Sequence, residues 1–268
     1  MLPPERRTRA DLLIAAAIAV VVLVTLGVTW LRSDARATES MTAATPAVVP
    51  EPATQIPEIL RAVWDAPSGA TTFPVVEGGA VVSADGSTVI GHDPETGEQL
   101  WRYSRDLELC GVVGAWQRAI SVFRDDRGCS QVTALDASSG VRAAQRSSDA
   151  DSDVTLVGGG TYLVVFGDQR LESWRSDLVR TVEYGRVDAP VNPGKQPRPE
   201  CNLVDAKANG SRLVVLEQCP GENVERLSLL APAPSDAQEP QEFSSKILAE
   251  VDQPGARIVA VAGERTAL

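Results

Sequence analysis

Histidine occurs once in this 268-residue chain, at His92, methionine twice, and lysine only at Lys195, Lys207 and Lys246. This one imidazole is remote in sequence from the cysteines with which it would have to share a metal. His92 stands beside Asp93 in a turn, and no G-x-S-x-G or other nucleophile signature accompanies it, so it is read as a solvent-exposed turn residue rather than a general base. None of the cysteine pairs has C-x-x-C spacing, which excludes the usual structural zinc frameworks. The glycine-rich turns at Gly78-Gly79 and at 158–160 have neither a lysine nor a following helix and make no phosphate cradle. Asp149, Asp151 and Asp153 have the alternation of a calcium loop but lack its glycine and closing glutamate; they read as a solvated acidic loop. Aromatic residues make up only 4% of the chain and the net charge is -11. The first ten residues contribute +2 (Arg6, Arg7 and Arg9 against Glu5), so residues 11–268 carry -13. That charge repels nucleic acid and anionic bilayer surfaces, so nucleic acid is not a partner. No catalytic residue, metal or cofactor is expected.

One long apolar run is present. Residues 12–31 hold no charged side chain, and at about 1.5 Å per residue such a run spans the roughly 30 Å hydrocarbon layer. Trp30 takes the interfacial position, and the basic residues before the run outnumber Arg32 and Arg36 after it. This predicts a cytoplasmic tail over 1–11 and a bilayer-crossing helix over 12–31, with everything beyond it extracytoplasmic. The alternative is a secretory signal cleaved at Ala35-Arg36-Ala37, but signal cores run about 7–15 residues and this run is longer. Residues 32–57, small, polar and punctuated by Pro46, Pro50, Pro52 and Pro57, read as a disordered tether. The remaining segment, 58–268, is the extracytoplasmic domain.

That domain is organised by a repeat. Val89-Ile-Gly-His-Asp93-Pro-Glu-Thr-Gly97 and Val132-Thr-Ala-Leu-Asp136-Ala-Ser-Ser-Gly140 both read as strand, Asp-x-x-x-Gly turn, strand, at an interval of 43 residues. The aspartate folds its carboxylate onto turn N–H groups and the glycine takes positive φ. A period of about 40 with several short strands predicts an all-β propeller. Successive blades are expected from Thr72 to Tyr103, from Cys110 to Arg146, from Val154 through Trp174, and from Arg212 to Leu248. A partial fifth starts at Ala256, incomplete at the C-terminus as though the chain were truncated. Ile59 to Trp64 reads as a further strand, the outermost of the last blade, and Trp64, Trp101, Trp116 and Trp174 are expected to pack between blades. Each cysteine pair, Cys110/Cys129 and Cys201/Cys219, brackets one central apolar strand; with an even count outside the cytoplasm, two disulfides are expected.

At Ala134-Leu-Asp-Ala-Ser-Ser-Gly140 and His92-Asp-Pro-Glu-Thr-Gly97-Glu-Gln-Leu-Trp101 the chain resembles the PQQ-like (quinoprotein-type) propeller repeat. The first copy has Gly91-His92 where Ala-Leu is usual, and the second has Ala143-Ala144 in place of the tryptophan. The arrangement as a whole resembles the single-pass PQQ-like propeller proteins of actinobacterial cell envelopes. Enzymes of this superfamily use adjacent cysteines and a calcium ligand set, neither of which maps onto these positions, so the resemblance implies a scaffold without cofactor. The expected function is a non-catalytic, membrane-anchored propeller that mediates protein interactions in the cell envelope. Its partners are envelope or membrane proteins, with the lipid bilayer engaged through 12–31. The alternatives are a PQQ- and calcium-dependent oxidoreductase and a ligand-binding ectodomain.

Overall fold

The computed structural model describes residues 8–33, 36–52, 54–55, 58–59, 61–158, 160–188, 190–249 and 255–268. Most of the proposed cytoplasmic tail, and Ala35 of the alternative cleavage site, lie outside these residues. The chain divides into two compact units, Met1–Glu39 and Ser40–Leu268.

The first unit is one helix, α1 (Arg9–Leu31). Thr8 and Asp11 form a capping box: Asp11 accepts from the Thr8 N–H at 2.7 Å, and the Asp11 N–H donates to the Thr8 hydroxyl at 3.3 Å, satisfying donors that a helix start leaves open. The hydroxyls of Thr25 and Thr29 fold back onto the carbonyls of Val21 and Thr25 at 2.8 and 2.7 Å, so the two polar side chains of the run are satisfied within the helix. None of its residues is buried. It is long and apolar enough to cross a membrane.

The second unit is all-β, a succession of antiparallel meanders. The first sheet holds β1 (Glu39–Met41), β2 (Val75–Glu77), β3 (Ala80–Asp85), β4 (Thr88–His92) and β5 (Gln99–Ser104) in the order β1-β5-β4-β3-β2. The second holds β6 (Leu109–Ala115), β7 (Arg118–Asp125), β8 (Gly128–Asp136) and β9 (Arg142–Ser147); the third β10 (Thr155–Gly158), β11 (Leu163–Phe166), β12 (Arg170–Trp174) and β13 (Arg180–Gly185). The fourth holds β14 (Asn202–Ala208), β15 (Leu213–Gln218), β16 (Arg226–Leu230) and β17 (Glu242–Ile247), and β18 (Ala260–Ala262) pairs with β19 (Arg265–Ala267). The first strands of neighbouring sheets, β2, β6, β10 and β14, lie side by side.

The sheets stack face to face. One core joins Val82, Trp101 and Tyr103 of the first sheet to Val112, Phe123 and Leu135 of the second. A second joins Ile120 and Val132 to Leu163 and Trp174, and a third joins Leu171 and Tyr184 to Leu203 and Val215. Second strands are therefore covered on both faces, which is why Ala119–Phe123, Leu163–Phe166 and Leu213–Glu217 are buried without alternation.

The structure departs from the sequence-based expectation in three respects. The segment 32–57 is not free throughout: β1 forms the outer edge of the first sheet, and the N–H groups of Ala43 and Ala47 donate to the carbonyls of Ser139 and Ser138, both at 2.9 Å. Residues 61–64 are not a strand, and Leu60 lies outside the described residues. The N-terminal strand thus completes the first sheet rather than the last. β14 was not among the expected strands, because a bulge between Leu203 and Asp205 breaks its apolar alternation.

Candidate functional site

The repeat turns are built as their residue types demand. Asp93 Oδ1 accepts from the N–H groups of Glu95 and Thr96 and from the Thr96 hydroxyl at 2.9–3.0 Å. Asp136 Oδ1 does the same for Ser138 and Ser139, backbone and hydroxyl, at 2.6–3.1 Å. Hydrogen bonds led by Thr96 hold the Asp93 carboxyl below its ordinary range. Burial pushes Asp136 up, but the Ser138 and Ser139 bonds outweigh it and the net shift is downward. Gly97 and Gly140 take φ of 74° and 73°.

On each turn sits a tryptophan. The Trp101 indole donates to the Ala137 carbonyl at 2.8 Å, and the Trp64 indole donates to the Pro94 carbonyl at 3.1 Å. In both cases the acceptor is the residue after the aspartate. A Cβ on Gly140 would lie 2.7 Å from Trp101, and one on Gly97 would lie 2.6 Å from Trp64. Gly91, the departure from the usual repeat, faces Trp101 across β4 and β5, and any Cβ there would fall 2.1 Å from the indole. The Asp136 turn thereby locks the first sheet to the second, and the Asp93 turn holds the irregular segment that carries Trp64.

The cysteines pair as expected, Cys110 with Cys129 and Cys201 with Cys219, at Cα separations of 5.9 and 4.2 Å. Glu217 lies close to Cys201 and Cys219, but the two sulfurs are bonded to one another and the carboxylate accepts from Tyr184, Arg198 and Ser228 at 2.5–2.9 Å. Burial and the adjacent Glu217 push the Tyr184 phenol upward. In the acidic loop, Asp151 accepts from the backbone of Gln169 and Arg170 and from Arg186 at 2.9–3.0 Å, and Asp153 pairs with Arg124 at 2.9 Å. These carboxylates brace the loop. A second buried group sets Arg170 between Glu172 and Glu183 at 3.0 and 2.5 Å, with Arg146 and Arg180 adding charge. Burial opposes ionisation of Glu172, yet Arg146 and the bonds from Ser148 and Trp174 keep it below its ordinary value.

His92 is not the exposed turn residue expected. It is 8% exposed, its ring 5.3 Å from that of Trp64 and tilted by 32°, with Nε2 at 2.8 Å from the Ser83 hydroxyl and Nδ1 at 3.0 Å from the Gly97 carbonyl. The spacing is that of a nucleophile and its base, but Ser83 is itself only 7% exposed. With both nitrogens satisfied, the ring ties β3 to the Asp93 turn.

A cleft of about 650 Å³ lies where the first strands of the sheets converge. Its apolar wall is formed by Phe73, just before the first sheet, Val75 and Val76 of that sheet, and Val112, Val113, Leu156 and Val157 of the second and third. Phe73 and Val76 are 77% and 64% exposed. Its polar groups include Glu77, Asp205, Lys207 and Arg257. Asp205 is engaged: its two oxygens accept the N–H groups of Ala206 and Ile258 at 2.9 and 2.8 Å. Glu77 accepts the Gln117 N–H at 3.1 Å. That bond supports a β6–β7 turn in which Trp116 and Gln117 hold φ of 55° and 60° without glycine, a conformation that costs on the order of 1–3 kcal/mol per residue and recurs at functional sites. Sequence reasoning missed this cleft, because its lining comes from five separate segments.

No protein-family model and no curated protein matches the chain. Among solved structures, it is similar to a chain of BBS1N in complex with ARL6DN, at 14% identity and TM-score 0.43 over 72% of this chain and 58% of that one. It is also similar to a chain of the mitotic checkpoint complex, at 14% identity and TM-score 0.40 over 67% and 52%. A third is Hsv2p of Kluyveromyces lactis, at 14% identity and TM-score 0.38 over 62% and 50%. The chain thus spans about half the length of these proteins.

Proposed function

We propose that this chain is a non-catalytic protein-interaction scaffold of the PQQ-like propeller type, anchored by α1 with its β unit outside the cytoplasm, and that it engages cell-envelope proteins through the cleft between its first strands. The observation that carries this reading is the cleft, where the large apolar side chains of Phe73 and Val76 stand exposed beside a lining of valines and leucine. Such surface marks a binding site. The two tryptophan-on-turn contacts, made to equivalent carbonyls 43 residues apart, support the repeat type, since the same residues do the same packing in successive units. The disulfides support an oxidising location. A cysteine introduced near residue 8 should then be shielded from an impermeant maleimide in intact cells, while one at exposed Val141 should react; the opposite pattern overturns the orientation. PQQ with calcium should bring no dye-linked oxidation, and reconstituted activity would refute the scaffold reading. The cleft volume also falls within the roughly 300–1,000 Å³ of small-molecule sites, which favours a ligand-binding ectodomain as the second reading.

A further inference from the structure

The cleft is two-sided in chemistry. Opposite the valine-rich wall stand Lys207 on β14 and Arg257 just before β18. The carboxylates lining the same space are held by backbone N–H groups. The two cations are not paired with them. Lys207 Nζ reaches only the Val259 carbonyl and the Arg257 guanidinium only the Ala256 carbonyl, each at 3.4 Å, and among the described residues neither makes an ion pair. The lining thus holds two carboxylates, Glu77 and Asp205, and two cations; on a chain of net charge -11, two cations with no ion pair of their own beside an apolar wall still form a local complement for negative charge. The strands that converge here, β2, β6, β10 and β14, are each the terminal strand of their sheet. They therefore turn a ladder edge toward the cleft; on β6 the Val112 N–H is already taken by the Ala70 carbonyl at 2.9 Å and on β14 the Ala206 N–H by Asp205 at 2.9 Å, which leaves β2 and β10 as the edges to accept an added strand.

We infer that the cleft takes an extended protein segment in which apolar side chains alternate with acidic ones. The inference rests on the scaffold reading and names the chemistry of its partner. The apolar side chains seat against Phe73, Val76, Leu156 and Val157, the part of the wall that solvent reaches. The carboxylates meet Lys207 and Arg257, and the main chain pairs with an exposed strand edge. A segment of alternating character fits because successive side chains of a strand point to opposite sides. A lipid carboxylate would satisfy the wall and the cations but would leave the strand edges bare.

The test uses the full chain in zwitterionic nanodiscs and a fluorescent (Val-Glu)3 peptide, read by anisotropy. It should bind roughly tenfold or more tightly than (Val-Lys)3 and (Ser-Glu)3, a difference of about 1.4 kcal/mol or more. The double variant Lys207→Glu/Arg257→Glu should reverse the preference between acidic and basic peptides, and Val76→Asp should weaken both, with melting curves unchanged. Equal binding of acidic and basic peptides, or a preference untouched by the charge reversal, overturns the inference. So does binding of oleate without binding of any peptide. A photo-crosslinker placed at Val76, and separately at Phe243 on the far edge of the fourth sheet, separates the two levels in cells. Protein adducts at Phe243 alone would leave the scaffold standing and remove the cleft assignment.

Discussion

Replacing Trp101 tests whether the repeat turns hold the sheets together. Its side chain is fully buried, packed on Gly91 and Gly140 with its indole N–H on the Ala137 carbonyl. Trp101→Phe keeps most of the ring and orphans that carbonyl, which costs about 1–3 kcal/mol. Trp101→Ala adds a cavity between the first and second sheets, for which large-to-small changes cost about 3–5 kcal/mol. The β unit Ser40–Leu268 holds 229 residues (268 − 40 + 1), a size at which 1 kcal/mol moves Tm by roughly 2–4 °C. Trp101→Phe should therefore lower Tm by roughly 2–12 °C, and Trp101→Ala by roughly 6–20 °C, in thermal melts of the full chain followed by circular dichroism. Trp64→Phe should fall in the same direction by less, because Trp64 is only part-buried. The reasoning fails if Trp101→Ala melts with the wild type, or if Trp101→Phe and Trp101→Ala are equivalent.

Each disulfide closes a loop of 18–19 residues, worth about 3 kcal/mol in the chain-entropy picture; Cys110→Ser/Cys129→Ser and Cys201→Ser/Cys219→Ser should each lower Tm, and mass mapping of the wild type should find these two pairings alone. Asp125 is held at about 2 by hydrogen bonds from Ser130, Arg127 and Gln131 that outweigh its burial, and Asp93 and Asp136 are also shifted down. Carboxyls lowered by folding stabilise above their unfolded value of about 3.9 and lose that contribution as pH falls toward the folded value. The melting temperature should accordingly drop between about pH 4 and pH 2, and a flat profile there would contradict the turn assignments. Ser83, enclosed beside His92, should resist a fluorophosphonate probe, and stoichiometric labelling would reopen the enzymatic reading. His92→Ala should lower Tm by removing the tie between β3 and the Asp93 turn; an unchanged melt would refute that role.

The helix, the blade-like strand succession and the cysteine pairing were legible because each rests on local chemistry. An uncharged run of 20 residues, an aspartate and a glycine four apart, and an apolar strand bracketed by cysteines act within a few turns of chain. The strands of the second sheet follow their expected segments because β7 and β8 are joined through short connections whose residues dictate the reversal. Other features required distant partners. β1 is three exposed residues, Glu39 to Met41, and becomes a strand only because β5 offers an unpaired edge. His92 is buried because Trp64, 28 residues earlier, folds over it. The bulged, charge-bearing β14 reads as loop until its neighbours surround it. The cleft is assembled from five separated segments, and side-chain pattern reports which face of a strand is covered, not what stands across an open space from it. Local sequence encodes turns and periodicity, whereas the facing of apolar wall and unpaired cations exists only once the sheets have stacked.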